Sequence, residues 1–271
     1  MTQAERGRPR LTVAIPLFRA ERWARNVVEN IRAMPPDVRI VLSDEVGSDD
    51  TAARIARHLA SDPRIVLRLR RGAPGWREHC NALIAKNETE FFSLLPQDDA
   101  LAPGYHAHLL AALDANPRAG IAFGTLVMVG RTPKPRRLKP PPIPIGASLP
   151  WIEAILLERT WNLGIPFRGV IRREVLRAIP ATPNDHFADQ VWVFGMALSA
   201  FLVDAPEAVY YKRYHEGNTH GSWAPPTPGQ RRAQLVGEIR KALEDKEDAD
   251  RAIAFLEQAS RVVVPLPTST D

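Results

Sequence analysis

The sequence predicts an α/β protein in which a mostly parallel sheet is flanked by helices on both faces. Short runs rich in Val, Ile, Leu and Phe alternate with longer segments in which apolar residues recur with helical spacing. Runs of the first kind indicate buried strands, and segments of the second kind indicate amphipathic helices. Regular alternation of the two is typical of parallel sheets, because each parallel strand needs a crossover connection.

Five strands are predicted in the N-terminal half, at residues 11–15, 38–42, 64–69, 90–95 and 121–129. Helices are predicted between them at residues 20–34, 76–86 and 105–113, with one more that ends at residue 59 and is capped by Asp49 or Asp50. Pro16 is expected to stop the first strand, because proline has no backbone N–H to give to a sheet.

The regular alternation ends after residue 130. Helices are predicted at residues 151–160, 173–178 and 186–199, extended segments at 167–171 and 207–214, and an amphipathic helix or helix pair at 230–258. The chain therefore divides into an α/β half (11–130), a proline-rich basic loop (131–150), a second half of the same domain (151–224), and a helical extension with a loose tail (225–271).

The net charge of +5 and the pI near 9.6 predict attraction to an acidic partner. Nucleic acid, an anionic membrane surface and a nucleoside diphosphate all satisfy this condition, but no nucleic-acid module is recognisable, so we expect no nucleic-acid partner. Five basic residues of the 131–150 loop are followed by three prolines, which indicates an exposed, mobile segment: Arg131, Lys134, Arg136, Arg137 and Lys139.

No apolar run approaches the ~18–20 residues that span a bilayer, and the N-terminus lacks the apolar core of a signal peptide. We therefore expect a cytoplasmic protein, with the inner face of the membrane as a surface that its basic charge could contact. The single cysteine, Cys80, excludes an internal disulfide and a cysteine-rich zinc site, and its place in a predicted helix indicates a small buried residue.

The most informative motif is Gln97-Asp98-Asp99, which directly follows the predicted strand at 90–95. Ligands of open α/β sheets bind at the carboxyl ends of strands, and two adjacent carboxylates repel each other unless a cation lies beside them. The motif therefore predicts a site for a divalent cation. The alternative is structural, with Asp99 as the N-cap of the helix at 105–113.

A second group of acids follows the predicted strand at 38–42. Asp44 could accept hydrogen bonds from a base or a ribose, because an ionised carboxylate is an acceptor only. A turn followed by a capped helix is the alternative, and we favour that structural role for Asp49 and Asp50.

The order of these motifs resembles that of the inverting family-2 glycosyltransferases, which have the GT-A fold. The resemblance covers roughly residues 11–220 and has six parts, which are Ile15-Pro16, residues 44–51, Asn81, Gln97-Asp98-Asp99, Phe187-Ala188-Asp189-Gln190 with Trp192, and the late strand Tyr210-Tyr211-Lys212-Arg213-Tyr214-His215. The resemblance implies a GT-A-type sheet and transfer of a sugar, with inversion, from a nucleotide-sugar donor to a hydroxyl group of a saccharide or another acceptor.

The resemblance also implies which residues bind the donor, most simply a UDP-sugar. Ile15, Pro16 and Asp44 would border the pocket of the base and ribose, and Asn81 and Asp98 would also contact the nucleotide. Asp98 would have a second role as a ligand of the cation described next.

The resemblance further implies a metal site and a catalytic base. Asp98 and Asp99 would hold Mg²⁺ or Mn²⁺ against the diphosphate, and His215 could complete the metal shell or contact the diphosphate. Asp189 would accept the proton of the acceptor hydroxyl. Asp185 and His186 are the rival candidates for that base.

Pro96 and Ala188 depart from the family pattern because they stand where acids are usual, and the second acid of the early turn is Glu45 here. The missing acids leave open a non-catalytic nucleotide- or nucleic-acid-binding protein of the same fold. A sugar-phosphate nucleotidyltransferase is a further alternative, but residues 16–19 replace the glycine-rich basic loop that it would need.

Overall fold

The structure, a computed structural model, describes residues 8–45, 49–59, 61–72, 75–130, 134–138, 165–178, 188–218, 227–242 and 246–261. Its strands are β1 (Leu11–Leu17), β2 (Val38–Glu45), β3 (Ile65–Arg70), β4 (Phe91–Leu94), β5 (Ala100–Leu101), β6 (Ala119–Val129), β7 (Arg136–Leu138), β8 (Val170–Arg172) and β9 (Phe201–Arg213). Its helices are α1 (Ala24–Ala33), α2 (Thr51–Leu59), α3 (Trp76–Ala85), α4 (Tyr105–Ala115), α5 (Arg173–Ala178), α6 (Ala188–Ser199), α7 (Pro228–Ala242) and α8 (Lys246–Arg261).

The strands join into one sheet in the order β3-β2-β1-β4-β8-β6-β9-β5, with β7 paired to β6. Parallel pairing links β3, β2, β1 and β4, and also β6 with β9. Antiparallel pairing is confined to β5, β7 and β8. The predicted mostly parallel α/β sheet is thus confirmed. The carboxyl ends of β2, β1 and β4 lie side by side at one edge, the usual ligand-binding edge of such a sheet.

Strand β1 continues through Pro16 to Leu17, so the prediction that Pro16 stops the strand was wrong. The carbonyl of Ala14 accepts a hydrogen bond from the amide of Leu95 at 3.0 Å. Alternate residues of a strand turn their backbone groups to the same neighbour, so Pro16 also faces β4. Because β4 ends at Leu94, the missing N–H of Pro16 costs no bond within the ladder.

Other element boundaries differ more in the second half than in the first. The extended segment predicted at 167–171 begins as a 3-10 turn, Pro166–Arg168, and only then enters β8. Strand β9 begins at Phe201, six residues before the predicted start, because an irregular stretch keeps it paired with β6 past Pro206. The amphipathic segment at 230–258 is a pair of helices, α7 and α8.

Part of the basic loop is a strand. β7 pairs antiparallel with the end of β6, and Leu138, opposite Leu126, is only 7% exposed. The expectation of an exposed, mobile segment was therefore wrong for Arg136–Leu138, where one apolar residue within the charged run packs inward. Residues 139–150 and the helix predicted at 151–160 lie outside the described residues.

The core lies on both sides of the sheet. Its largest fully buried side chains include Trp192, Tyr210, Phe91 and Phe92. Cys80 is buried in α3, as predicted, and burial raises the pKa of its thiol, which disfavours the nucleophilic thiolate. Within the described ranges, no helix is both long enough and apolar enough to cross a membrane.

Candidate active site

Gln97 fixes the loop between β4 and β5 to the segment that follows β1. Its Nε2 donates to the carbonyl of Phe18 at 2.9 Å, and its Oε1 accepts the Phe18 amide at 2.8 Å. The next residue, Arg19, has a φ of 46°, which is unusual for a residue with a side chain. The side-chain amide of Gln97 therefore links the loop after β4 to the backbone of Phe18 after β1.

Two asparagines of α1 fix the same loop from the other side. Asn26 donates to the carbonyls of Gln97 and Asp99 at 2.9 and 2.7 Å. Asn30, one turn later and 5% exposed, donates to the Asp99 carbonyl at 2.9 Å and accepts the Leu101 amide at 3.0 Å. Since buried backbone groups need partners, these bonds hold the acidic loop in one conformation.

Asp99 is a buried structural carboxylate and is 1% exposed. Its Oδ2 accepts the hydroxyl of Tyr210 at 2.7 Å, and its Oδ1 accepts the backbone amide of Arg213 at 2.9 Å. Burial raises the pKa of Asp99 and outweighs the opposite effect of Lys212. Asp99 does not cap α4 either, because that helix starts after Gly104 with no side-chain cap. Both of its oxygens hold β9, so the N-cap alternative was wrong, whereas the role of Asp99 as a metal ligand stays a prediction.

Asp98 points instead towards the turn after β9. Its Oδ2 lies 2.9 Å from Nε2 of His215 and accepts Nδ2 of Asn218 at 3.0 Å. The side chain of Asn218 closes the turn by accepting the backbone amide of His215 at 2.6 Å. The side chains of Asp98 and His215 are 18% and 20% exposed, so a ligand in the cleft can reach the pair.

The neighbours of His215 determine its tautomer. Its Nδ1 accepts the backbone amide of Gly217 at 3.1 Å and lies 3.2 Å from the guanidinium of Arg22. Both of these neighbours can only donate, which favours Nδ1 as the acceptor. Nε2 faces the acceptor Asp98 at 2.9 Å and the donor Nδ2 of Asn218 at 3.1 Å, and we assign the ring proton to Nε2. Nε2 therefore donates to Asp98. The imidazole also lies 5.0 Å from the ring of Trp23.

Asp189, the predicted base, lies in the first turn of α6, and its side chain is 31% exposed. Nη1 of Arg168 lies 3.7 Å from Oδ2 of Asp189, and Nε of Arg168 lies 4.0 Å from Oδ2 of Asp99. Burial lowers the pKa of Arg168, but Asp189, Tyr210 and Asp99 raise it by more. One buried arginine thus lies between the acidic loop and the predicted base.

Lys212 on β9 adds a second basic side chain to this cluster. Burial and Arg168 lower the pKa of Lys212, whereas Asp99, Asp189 and Asp98 raise it by less. Lys212 therefore lies close enough to Arg168 and to the three acids for their charges to act on it. This arrangement brings Asp98, Asp99, Asp189 and His215, which are far apart in sequence, to one site.

The carboxyl end of β2 forms a second polar region at the same sheet edge. Asp44 and Glu45 are 3% and 5% exposed and belong to the strand, whereas the sequence indicated that the strand ended before them. His79 of α3 joins this end, with its Nε2 2.7 Å from Oγ of Ser43 and its Nδ1 3.5 Å from Oε1 of Glu45. His79 thereby ties α3, the helix that carries Asn81, to β2.

The remaining predicted residues lie along the same edge. Ile15 is fully buried and Pro16 is buried, so β1 can border a ligand there chiefly through its backbone. Asn81 is in α3 and partly exposed. Asp49 has the structural role that we favoured, because its Oδ1 accepts the amide of Thr51 at 3.0 Å. Residues 185 and 186 lie outside the described residues.

Sequence reasoning missed Asn26, Asn30 and Arg168, and it named Tyr210 only as part of the late-strand motif. A signal existed for the two asparagines, because asparagine is a poor helix former and this pair is spaced i,i+4 on one face of α1. No comparable signal marked Arg168, since the sequence has many arginines and none of its neighbours in sequence is acidic.

Two buried histidines predict a loss of stability in acid. Burial lowers the pKa of both His79 and His106 from 6.5 to about 4. The unfolded chain then binds more protons than the folded one below pH 6.5, so stability present above pH 6.5 is lost as the pH falls towards 4. The free energy of unfolding should drop by about 3 kcal/mol for each histidine over this range.

Urea unfolding of the wild type and two variants between pH 7.5 and 4 checks this expectation. His106→Leu should remove roughly half of the loss, because Nε2 of His106 has no hydrogen-bond partner among the described residues. His108→Gln, two residues away and exposed, is the control and should unfold as the wild type does. An identical pH dependence in His106→Leu and in the wild type would contradict the prediction.

Comparison with known proteins identifies a family match and a fold. Residues 12–179 of the 271 match the family described as Glycosyl transferase family 2. No curated protein matches the sequence. The described fold is similar to that of S. aureus TarS, residues 1–349, in complex with UDP-GlcNAc. The two are 17% identical with a TM-score of 0.70 over 92% of this chain and 72% of that chain.

A second similar structure is the mannosyltransferase PcManGT from Pyrobaculum calidifontis in complex with GDP-Man and Mn²⁺. It is 18% identical, with a TM-score of 0.55 over 93% of this chain and 74% of that chain. At such identities the likeness to both structures shows the fold that they share.

Proposed function

This chain belongs to glycosyl transferase family 2 and is a glycosyltransferase, and we propose that it moves a sugar from a nucleotide-sugar donor to a hydroxyl acceptor with inversion. The observation that carries this proposal is the cluster at the sheet edge. Asp98 and His215 form a pair 2.9 Å apart, and Asp189 lies across Arg168 from the same loop. A cation-binding pair and a separate carboxylate are the two parts that such a transfer needs.

The pair of Asp98 and His215 fits a divalent cation by distance. Adjacent ligands of octahedral Mg²⁺, at 2.0–2.1 Å from the ion, are about 3 Å apart, and Oδ2 of Asp98 and Nε2 of His215 are 2.9 Å apart. His215 would have to give up the proton on Nε2, so Nδ1 would lose its bonds with Gly217 and Arg22. We propose Asp98 and His215 as ligands and leave Asp99 out, because both of its oxygens hold β9.

No group of three or more His, Cys, Asp or Glu side chains in the described ranges is arranged around a common point. The remaining ligands of Mg²⁺ or Mn²⁺ would then come from the donor diphosphate and water, which is usual for Mg²⁺. When bound, such a cation neutralises charge on the departing nucleoside diphosphate.

Asp189 is the proposed general base. An ionised carboxylate accepts the proton of the acceptor hydroxyl as its oxygen attacks the anomeric carbon, and the bond to the diphosphate breaks on the opposite face. Arg168 lies 3.7 Å from that carboxylate and helps to fix its position. The partial exposure of Asp189 leaves it open to an acceptor.

For the donor we propose a UDP-sugar first and a GDP-sugar second. One similar structure holds UDP-GlcNAc and the other holds GDP-Man with Mn²⁺. Ile15, Pro16, Asp44 and Asn81 line the part of the sheet edge where we place the base and ribose. A saccharide or another hydroxyl compound is the acceptor class.

Thermal-shift measurements with nucleotides test the proposal. A ligand at a hundredfold excess over its Kd stabilises the folded state by about 2.7 kcal/mol. UDP or GDP with Mn²⁺ should therefore raise Tm clearly, and EDTA should reduce the shift. If no nucleoside diphosphate or nucleotide sugar shifts Tm with or without Mn²⁺, the donor assignment is wrong.

A further inference from the structure

Arg168 is buried at a junction of the two halves of the domain. It ends the 3-10 turn before β8 and is 6% exposed. The hydroxyl of Tyr105 donates to its carbonyl at 2.8 Å, and its guanidinium lies 5.8 Å from the ring centres of both Phe167 and Tyr210. The backbone and the side chain are therefore both fixed by packing.

The guanidinium lies between two carboxylates from different elements. Asp99 belongs to the loop after β4, and Asp189 belongs to α6. Asp99 is immobile, because Tyr210 and Arg213 hold both of its oxygens. Of these two carboxylates, Asp99 is anchored and Asp189 is partly exposed to solvent.

The buried guanidinium of Arg168 interacts with both Asp99 and Asp189. Burial of an arginine is costly unless carboxylates compensate it, and both carboxylates lie within about 4 Å. A cation at this distance also favours the charged form of a carboxylate. Lys212 from β9 is a second basic group whose charge acts on Asp189.

We propose that Arg168 is a positioning residue that holds Asp189 in place for proton transfer by linking it to Asp99. The inference rests on the proposed role of Asp189 as the base. It adds that the position of the base depends on the loop that also carries Asp98. The guanidinium of Arg168 would then connect the donor side of the site to its acceptor side.

The alternative is that Arg168 only neutralises Asp99 and has no part in the reaction. Both interpretations predict a lower Tm on removal of the guanidinium. Only the proposal predicts a change in the pH dependence of turnover, because only then does Arg168 act on the group that takes the proton.

The experiment compares Arg168→Met and Arg168→Lys with the wild type. The readouts are kcat against pH, the donor KM and Tm, with release of nucleoside diphosphate from the donor as the assay. Arg168→Met should lower kcat at neutral pH at least tenfold, and the acid limb of its profile should move to higher pH. Activity should then recover at higher pH, since loss of the cation favours the protonated base.

Arg168→Lys keeps the charge but cannot bridge two carboxylates with a planar fork. It should keep the acid limb within about 0.5 unit of the wild type while kcat falls severalfold and the donor KM stays unchanged. If Arg168→Met does not fold, this split between kcat and KM is the deciding measurement.

Arg172→Met is the matched control from the same segment. Arg172 binds the carbonyls of Ala119 and Leu113 at 2.8 and 3.0 Å, outside the site, so its loss should lower Tm and leave the pH profile unchanged. An unshifted acid limb in Arg168→Met, or unchanged kcat in Arg168→Lys, overturns the proposal.

Failure of the proposed function would give a different result. In that case Asp189→Asn would keep wild-type turnover whatever the Arg168 variants do. If Asp189→Asn is inactive and the Arg168 variants keep the wild-type profile and kcat, only the inference on Arg168 fails.

Discussion

Asp189→Asn is expected to lower turnover by about 10²–10⁴-fold, the range that a general base usually contributes. Asparagine keeps the size of the side chain and is also tolerated in the first turn of a helix, so α6 should be retained. The donor should bind with nearly wild-type affinity, because the base acts on the acceptor. Release of nucleoside diphosphate measures the turnover, and calorimetric titration with UDP and Mn²⁺ measures the binding.

Asp204→Asn is the matched control, since Asp204 is an exposed acid on β9. It should keep wild-type turnover. Full turnover in Asp189→Asn would transfer the role of the base to another group, for which Asp185 and His186 are the first candidates. A large loss of nucleotide affinity in Asp189→Asn would instead place this carboxylate on the donor side.

Asp98→Asn and Asp99→Asn should affect different properties, nucleotide binding and stability, although the two residues are neighbours. Asp98 is accessible, and its loss should weaken Mn²⁺-dependent nucleotide binding while the free energy of unfolding changes little. Asp99 is buried beside Arg168, and removal of one partner from a buried charge pair typically costs about 3–5 kcal/mol. Asn at 99 would also turn an NH₂ group towards a donor, either Tyr210 or the Arg213 amide.

Urea unfolding and titration of UDP with Mn²⁺ separate the two variants. Titration in EDTA is the control for Asp98→Asn, because the wild type and the variant should then bind UDP alike. Equal loss of Mn²⁺-dependent affinity in a well-folded Asp99→Asn would show that Asp99 is a ligand after all. Unchanged affinity in Asp98→Asn would remove the proposed metal site.

The sequence predicted most of the fold because local patterns determine strands and helices in the first half. The alternation of apolar runs and helical segments was enough to place β1 to β4 and their helices within a few residues. It could not show that β1 passes through Pro16, since this depends on where β4 ends. It also could not show that Leu138 turns a basic loop into β7, which depends on pairing with β6.

The site was predictable where one short motif carries the chemistry. Asp98, His215 and Asp189 came from such motifs, and the structure brings them to one cluster. Asp99 shows the limit, because adjacent acids in a sequence look alike whereas their surroundings in the fold differ. Only the register of β9 reveals that Tyr210 and Arg213 occupy the oxygens of Asp99. The position of Arg168 between two distant acids likewise depends on tertiary packing alone.

The central step of the proposed reaction is attack on the anomeric carbon by an acceptor that Asp189 activates. The acceptor attacks on the face opposite the diphosphate. The direct measurement is the configuration of the first product released from an α-linked nucleotide sugar, followed by proton NMR before the free sugar equilibrates. With Mn²⁺ present and water or methanol as the acceptor, we expect the β-anomer to form first. The α-anomer as the first product would mean retention, and it would contradict the role that we propose for Asp189.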